Sequence, residues 1–205
     1  MTRTYPNLIS IIVLAPGTKL RLGHNKLFEP IGDKTTIEEV VSECMSSKAK
    51  QVIVVCGRDP EKVAAFLKGN RCDVVFDNDY EKGMSSSVRK GLSMVNMDAD
   101  AVIVLPGDTV SADRKTINNM IREYSSCYAP IVTAGRKADY SHPVLFDKNL
   151  FGELNNITED KDGLKTLLSK YRSNRRPIKT AEETLLEQEK EAKSLGGNLG
   201  LRRRA

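Results

Sequence analysis

The run Leu8-Ile9-Ser10-Ile11-Ile12-Val13, with the stretch behind it, Leu14-Ala15-Pro16-Gly17-Thr18-Lys19-Leu20-Arg21-Leu22-Gly23-His24-Asn25-Lys26-Leu27, decides the fold. The first six residues form an apolar run, broken only by Ser10, and read as a buried strand. The rest is a glycine-bearing loop with Arg21 and Lys26 spaced along it. A strand running into such a loop is a device for gripping a polyphosphate. Glycines let backbone N–H groups approach the anion, and the cations neutralise it. Two known phosphate loops are excluded. A Walker A loop needs a Gly-Lys-Ser/Thr beginning where Leu22 stands, and Gly17 and Gly23 are too far apart for G-x-G-x-x-G.

Working outward, strand-like and helix-like periods alternate. Ile37, Val40, Val41 and Cys44 fall at helical spacing behind Asp33-Lys34-Thr35-Thr36. Gln51 to Gly57 reads as a buried strand, and Pro60 opens a helix carrying Val63, Ala64 and Leu67. Cys72 to Phe76, Ala101 to Leu105 and Ile131 to Ala134 read as further strands. Val88, Leu92 and Val95 mark the inner face of one intervening helix, and Ile117, Met120, Ile121 and Tyr124 that of another. This rhythm predicts an α/β fold of the three-layer, Rossmann-like kind: a mostly parallel sheet with helices on both faces. The site is then expected at the carboxyl ends of the strands. From about residue 172 the chain turns polar. A charged helix is predicted over 181–195 with a thin apolar stripe. One domain over 1–195 and a flexible basic tail over 196–205 complete the expected organisation.

The chain has 205 residues, 40% hydrophobic and 29% charged, with a net charge of +5, an ordinary globular balance. With no Trp, five Phe, six Tyr and no basic-aromatic repeat, a nucleic-acid partner is not expected. The N-terminal apolar run is about eight residues, against about twenty for a membrane span, so neither a membrane partner nor a signal peptide is expected, and the cytoplasm is the expected location. Cys44, Cys56, Cys72 and Cys127 make no C-x-x-C pair, each lies in or beside an apolar segment, and they read as buried, reduced thiols.

Three further places carry chemistry. Asp108 follows the strand ending Val104-Leu105-Pro106-Gly107 and would point into the ligand crevice, where a hard oxygen donor docks Mg²⁺ with a triphosphate. A turn or capping role is the alternative for Asp108, and Asp113 reads as solvated or capping. Asn78-Asp79-Tyr80-Glu81-Lys82-Gly83-Met84-Ser85-Ser86-Ser87 is a strand end, a glycine turn and a run of serines opening a helix. Those serines can cap the helix, or bind a nucleotide's base or ribose together with the N–H groups. His142, in His142-Pro143-Val144-Leu145-Phe146, is either structural or a substrate contact.

These landmarks together resemble the molybdopterin nucleotidyltransferases, the MobA-like NTP-transferases, over roughly residues 9 to 170. Leu14, Ala15, Gly17, Arg21, Gly23 and Lys26 match the family's L-A-A/G-G-x-S-x-R-M-G-x-x-K loop. Gly83-Met84-Ser85-Ser86-Ser87 matches its G-M-S-S-S segment, Gly107-Asp108 its L-G-D, and His142-Pro143-Val144-Leu145-Phe146 its acceptor-side G-H-P-V-L-F. Glu159 to Leu168 resembles its G-D-x-G-A-R-x-L-L with one extra residue, so Asp160 or Asp162 is implied as a second metal contact, the alternative being an acidic helix start at Asp162. The match is closest to the cytidylyltransferase branch. The resemblance implies a Mg²⁺-dependent transfer from CTP, or GTP, to a molybdopterin-type phosphate acceptor, supplying a molybdenum enzyme. Catalytic roles fall to Arg21, Lys26 and Asp108, nucleotide contacts to Leu14, Ala15, Gly17, Arg21, Lys26, Gly83, Ser85 and Ser86, and a substrate contact to His142. Alternatives are another phosphate acceptor, or a non-catalytic cofactor-loading module with the same fold. Departures from the pattern are Pro16, Lys19, Thr109-Val110, Ser141, Lys165 and Lys179, and Pro16 bears on base choice.

Overall fold

A computed structural model describes residues 8–17, 20–21, 24–135, 142–161 and 163–180, and for 20, 21 and 24 the backbone alone. The expectations placed on Lys19, Gly23, Ser141, Asp162, the helix 181–195 and the tail 196–205 lie outside these residues.

In chain order the strands are β1 (Ile9–Ala15), β2 (Leu20–Arg21), β3 (His24–Asn25), β4 (Pro30–Ile31), β5 (Lys34–Thr35), β6 (Gln51–Cys56), β7 (Asp73–Phe76), β8 (Ala101–Pro106), β9 (Ile131–Ala134), β10 (Val144–Asp147) and β11 (Arg175–Ile178). The α-helices are α1 (Thr36–Met45), α2 (Pro60–Phe66), α3 (Met84–Leu92), α4 (Arg114–Cys127), α5 (Phe151–Leu154) and α6 (Leu164–Lys170). Seven strands form one sheet in the order β11-β9-β10-β8-β1-β6-β7, while β2 pairs with β3 and β4 with β5 as small ribbons. All neighbours in the large sheet are parallel except β10, which runs antiparallel to both β8 and β9.

The pleat explains why β1 is apolar but for Ser10, whose buried hydroxyl donates to Gln51 Oε1 at 2.9 Å. Ile9, Ile11, Val13 and Ala15 face one layer with α1, α2 and α4 residues such as Ile37, Val41, Val63, Ile117 and Met120. Ile12 and Leu14 face the other with Val88 of α3, Leu154 of α5, and Leu164 and Leu167 of α6. A strand covered on both faces has no polar side, hence the near-continuous run. Each fully buried Ile or Val contributes about 1.5–3 kcal/mol. This is the three-layer, mostly parallel α/β architecture expected.

The helices start where the sequence signals them. Thr35 donates both its N–H and its hydroxyl to Glu38 at the head of α1, at 2.7 and 2.6 Å. Asp113 caps α4 by accepting from the Thr116 N–H at 2.8 Å. Val63 of α2 and Leu67 at its C-cap are buried while Ala64 is exposed. Of the cysteines expected to be buried, Cys44 and Cys56 are, Cys72 is half-buried, and Cys127, at the end of α4, is exposed. Val95 lies beyond the end of α3 but still packs against the core beneath it.

Two strands go beyond the sequence reading. The polar segment after residue 172 supplies β11, an edge strand. Paired on one side only, it needs no continuous apolar run and accommodates Pro177. The segment at Val144 supplies β10, only four residues long.

Strand order places the site. From β1 the chain moves to β6 and β7 on one side, then crosses back to β8 on the other. The crevice between β1 and β8 is therefore the topological switch point, and ligands bind beyond the strand ends at such a point. No helix among the described residues is long and apolar enough to cross a membrane.

Candidate active site

Beyond the carboxyl ends of β1 and β8 lies a pocket of about 230 Å³. Three groups of residues form it. Leu14, Pro16, Gly17, Asn25, Lys26 and Leu27 come from the end of β1 and the far side of its loop. Tyr80, Glu81, Gly83, Met84 and Ser87 come from the turn before α3 and its first turn. Pro106 and Asp108 come from the end of β8. Two landmarks far apart in the chain, the glycine loop and the Gly-Met-Ser turn, thus face one cavity.

The loop is anchored on the β6 side. Gly57 N–H donates to the Ala15 carbonyl at 3.2 Å and Arg58 N–H to the Pro16 carbonyl at 2.9 Å. Gly17 follows with φ +67°, a left-handed turn that suits glycine. The Tyr80 ring is seated against Gly57, where a Cβ would come within 2.5 Å of it. On the β8 side, Gly107 N–H donates to the Leu14 carbonyl at 2.8 Å. Lys26 begins a 3-10 turn capped by Asn25, whose Oδ1 accepts from the Leu27 N–H at 3.1 Å.

Asp108 and Lys26 are both half-buried, and among the described residues neither side chain has a hydrogen bond or ion pair. An unpaired carboxylate and an unpaired ammonium on one cavity, opposite mostly apolar walls, suit a ligand with a flat apolar part and a charged part. Asp108 offers hard oxygen donors of the kind Mg²⁺ or Mn²⁺ takes. No group of three or more His, Cys, Asp or Glu side chains placed to hold an ion occurs among the described residues. The residues present therefore fit a cation that arrives with a triphosphate and completes its shell from phosphate and water.

The other expected residues are distributed as follows. Leu14, Gly17 and Gly83 line the pocket, while Ala15 is buried behind it at the end of β1. Arg21 is in β2, paired with His24. Ser85 and Ser86 are buried and are not on the pocket wall; Ser87 is. The hydroxyls of Ser86 and Ser87 both reach Oδ2 of buried Asp77 at 2.8 Å. Asp77 Oδ1 also accepts from the Asp79 N–H at 3.0 Å, so this carboxylate ties the turn to the end of β7. His142 is half-buried beside β8, its Nδ1 3.4 Å from the Val104 carbonyl, and is not on the pocket wall. Asp160 is exposed, and the neighbouring Thr158 hydroxyl holds its carboxyl below the usual range; it too lies off the wall.

Sequence reasoning passed over Asn25, Leu27, Tyr80, Glu81 and Met84 as site residues. Asn25 and Leu27 flank Lys26, and the other three flank Gly83, so proximity to the matched positions was the available signal. It also passed over Glu159, which accepts from the Ser85 N–H at 2.6 Å across 74 residues of chain.

A cleft at the switch point of a mostly parallel sheet, with a glycine loop on one wall and a carboxylate on the other, is the arrangement of a nucleotide-binding α/β protein. Comparison with known proteins then gives the family. The model of the MobA-like NTP transferase domain matches residues 11–175, and the chain belongs to that family of nucleotidyltransferases. It is similar to the bifunctional protein GlmU of Buchnera aphidicola subsp. Schizaphis graminum, 24% identical over 156 residues, covering 75% of this chain and 33% of that protein. The chain thus spans about a third of the length of the curated relatives it matches. Among solved structures it resembles Rv0371c from Mycobacterium tuberculosis H37Rv, with TM-score 0.73 and 26% identity over 85% of this chain and 88% of that one. It is also similar to the manganese complex of Rv0371c, with TM-score 0.68 and 24% identity over 85% and 89%.

Proposed function

We propose that this chain transfers the nucleotidyl group of an NTP, CTP by preference, to a phosphorylated acceptor of the molybdopterin type and releases pyrophosphate. The observation that carries the reading is the joint presence on one cavity at the switch point of Lys26 and Asp108, both without a side-chain partner among the described residues. In the reaction an acceptor phosphate oxygen attacks the α-phosphorus in line. The bond from that phosphorus to the bridging oxygen breaks, and pyrophosphate leaves with the electron pair. The protein's part is placement and charge neutralisation.

Backbone N–H groups around Gly17, with Arg21, hold the β- and γ-phosphates. Lys26 offsets the charge building at the α-phosphate. The apolar surfaces of Leu14, Pro16, Tyr80 and Met84 receive the base. Asp108 would hold a divalent cation, Mg²⁺, which would supply charge neutralisation at the phosphates. The manganese complex of Rv0371c, a protein of this fold, supports a divalent ion in this family. The preference for CTP and the molybdopterin-type acceptor rest on the resemblance to the cytidylyltransferase branch, as does a molybdenum enzyme as the final recipient.

Asp108→Asn tests the reading. Asn is nearly isosteric but lacks the charge that anchors the cation. Pyrophosphate release is expected to fall at least about a hundredfold, with the fold intact by circular dichroism. A folded variant as active as wild type at the same Mg²⁺ concentration overturns the assignment. Running the assay with CTP, GTP, ATP and UTP, and with several phosphorylated acceptors, decides the substrates.

A further inference from the structure

The first turn of α3 forms one wall of the pocket through Gly83, Met84 and Ser87. A helix start presents unpaired N–H groups and the positive end of the helix dipole, and so attracts anions. Here that end is already filled. The Glu159 carboxylate accepts from the Ser85 N–H at 2.6 Å. Its side chain fills the notch above Gly83, where a Cβ would come within 2.3 Å of Glu159 Cγ. Gly163 turns the chain behind it with φ +51°, and a Cβ there would lie 2.9 Å from Ser85 Oγ. The segment is fastened a second time where Arg89 Nη1 donates to the Ile157 carbonyl at 2.6 Å. Ser85 is only 2% exposed and its buried hydroxyl has no hydrogen-bond partner among the described residues, so it is available to any anion that replaced the carboxylate.

We propose that Glu159 is a positioning residue that plugs the start of α3. It holds the turn that walls the pocket and closes that end to phosphate. One strong anion-binding end then remains, at Gly17 and Lys26, and a nucleotide enters with its triphosphate there and its base toward α3. The orientation rests on the nucleotide-binding reading above; the plug itself does not.

The test uses the full chain labelled with ¹⁵N, with inorganic phosphate as the probe and the Ser85 amide resonance as the readout. In wild type and in E159Q, whose amide oxygen still fills the notch and accepts the bond, the resonance should not respond to phosphate. In E159A it should shift saturably. In the nucleotidyl-transfer assay E159A should raise KM for the NTP about tenfold with kcat within about twofold, because the turn that walls the pocket is no longer held, and E159Q, which keeps the hydrogen bond, should recover most of it. Glu159 lies on an exposed turn, and E159S replaces E159A if the latter does not fold. A Ser85 resonance in the emptied variant that ignores phosphate overturns the proposal. So does one that responds equally in wild type, or an E159Q enzyme as impaired as E159A. If wild type binds no nucleotide, the functional reading fails while the phosphate arm still decides the plug.

Discussion

Gly107 donates its N–H to the carbonyl of Leu14 at 2.8 Å, one residue past the last register pair between β1 and β8, Leu14 with Pro106. This bond fastens the two strands at the switch point and sets where Asp108 emerges. The position is crowded. A Cβ on residue 107 would lie 2.8 Å from Ile37 Cδ1, 3.0 Å from Leu27 Cδ2 and 3.3 Å from the Leu14 carbonyl oxygen. Gly107→Ala is therefore expected to destabilise the protein by about 1–3 kcal/mol, the usual penalty of overpacking. It should also weaken divalent-cation dependence by displacing Asp108. Urea unfolding and a cation titration of pyrophosphate release measure the two effects. An alanine variant with wild-type stability would refute the packing argument.

Much of this arrangement was legible in the sequence because of what burial demands. β1, β6 and β8 are covered on both faces, so their apolar runs are near-continuous and readable. The glycine loop, the Gly-Met-Ser turn and Asp108 do meet at one cavity. What was not legible depends on contacts between distant residues. Asp77 looks like any polar residue at a strand end, yet it is 4% exposed and gathers the hydroxyls of Ser86 and Ser87. The serine run is thereby partly structural, with Ser87 alone of the three also on the pocket wall. Glu159 sits in an acidic stretch whose resemblance to the family's segment implies a metal contact at Asp160 or Asp162, but its own carboxylate is committed to the start of α3. β11 escaped because an edge strand with Arg175, Arg176 and Pro177 carries no apolar period.

Acid sensitivity should be traceable to the head of α1. Hydrogen bonds from the Thr35 hydroxyl and then from its backbone N–H, with Lys34 nearby, hold the Glu38 carboxyl below its ordinary value of 4.5. A depressed folded-state value means that the ionised form is favoured by folding. The contribution is thus fully present above pH 4.5 and lost as the pH falls through the lower, folded value. Glu38→Ala should cost about 0.5–2 kcal/mol at neutral pH, the worth of a helix-capping contact, with the difference shrinking in acid. Urea unfolding of both proteins across the acid range is the measurement. A difference independent of pH would contradict the link to ionisation.

Lys26 provides the sharpest separation of function from folding. Its ammonium has no partner among the described residues, so its removal breaks no ion pair. The turn it begins is held instead by Asn25 and by the buried Leu27. Lys26→Ala should therefore leave the unfolding midpoint nearly unchanged. A charge-assisted contact to phosphate contributes about 1.5–3 kcal/mol, so kcat/KM should fall roughly ten- to a hundredfold. The loss should appear mainly in kcat if Lys26 meets charge that grows at the α-phosphate during transfer. A loss confined to KM would move it to the ground-state triphosphate. Steady-state kinetics with the preferred NTP, beside thermal unfolding, separate these outcomes. Full turnover in a folded Lys26→Ala protein would remove the residue from the mechanism altogether.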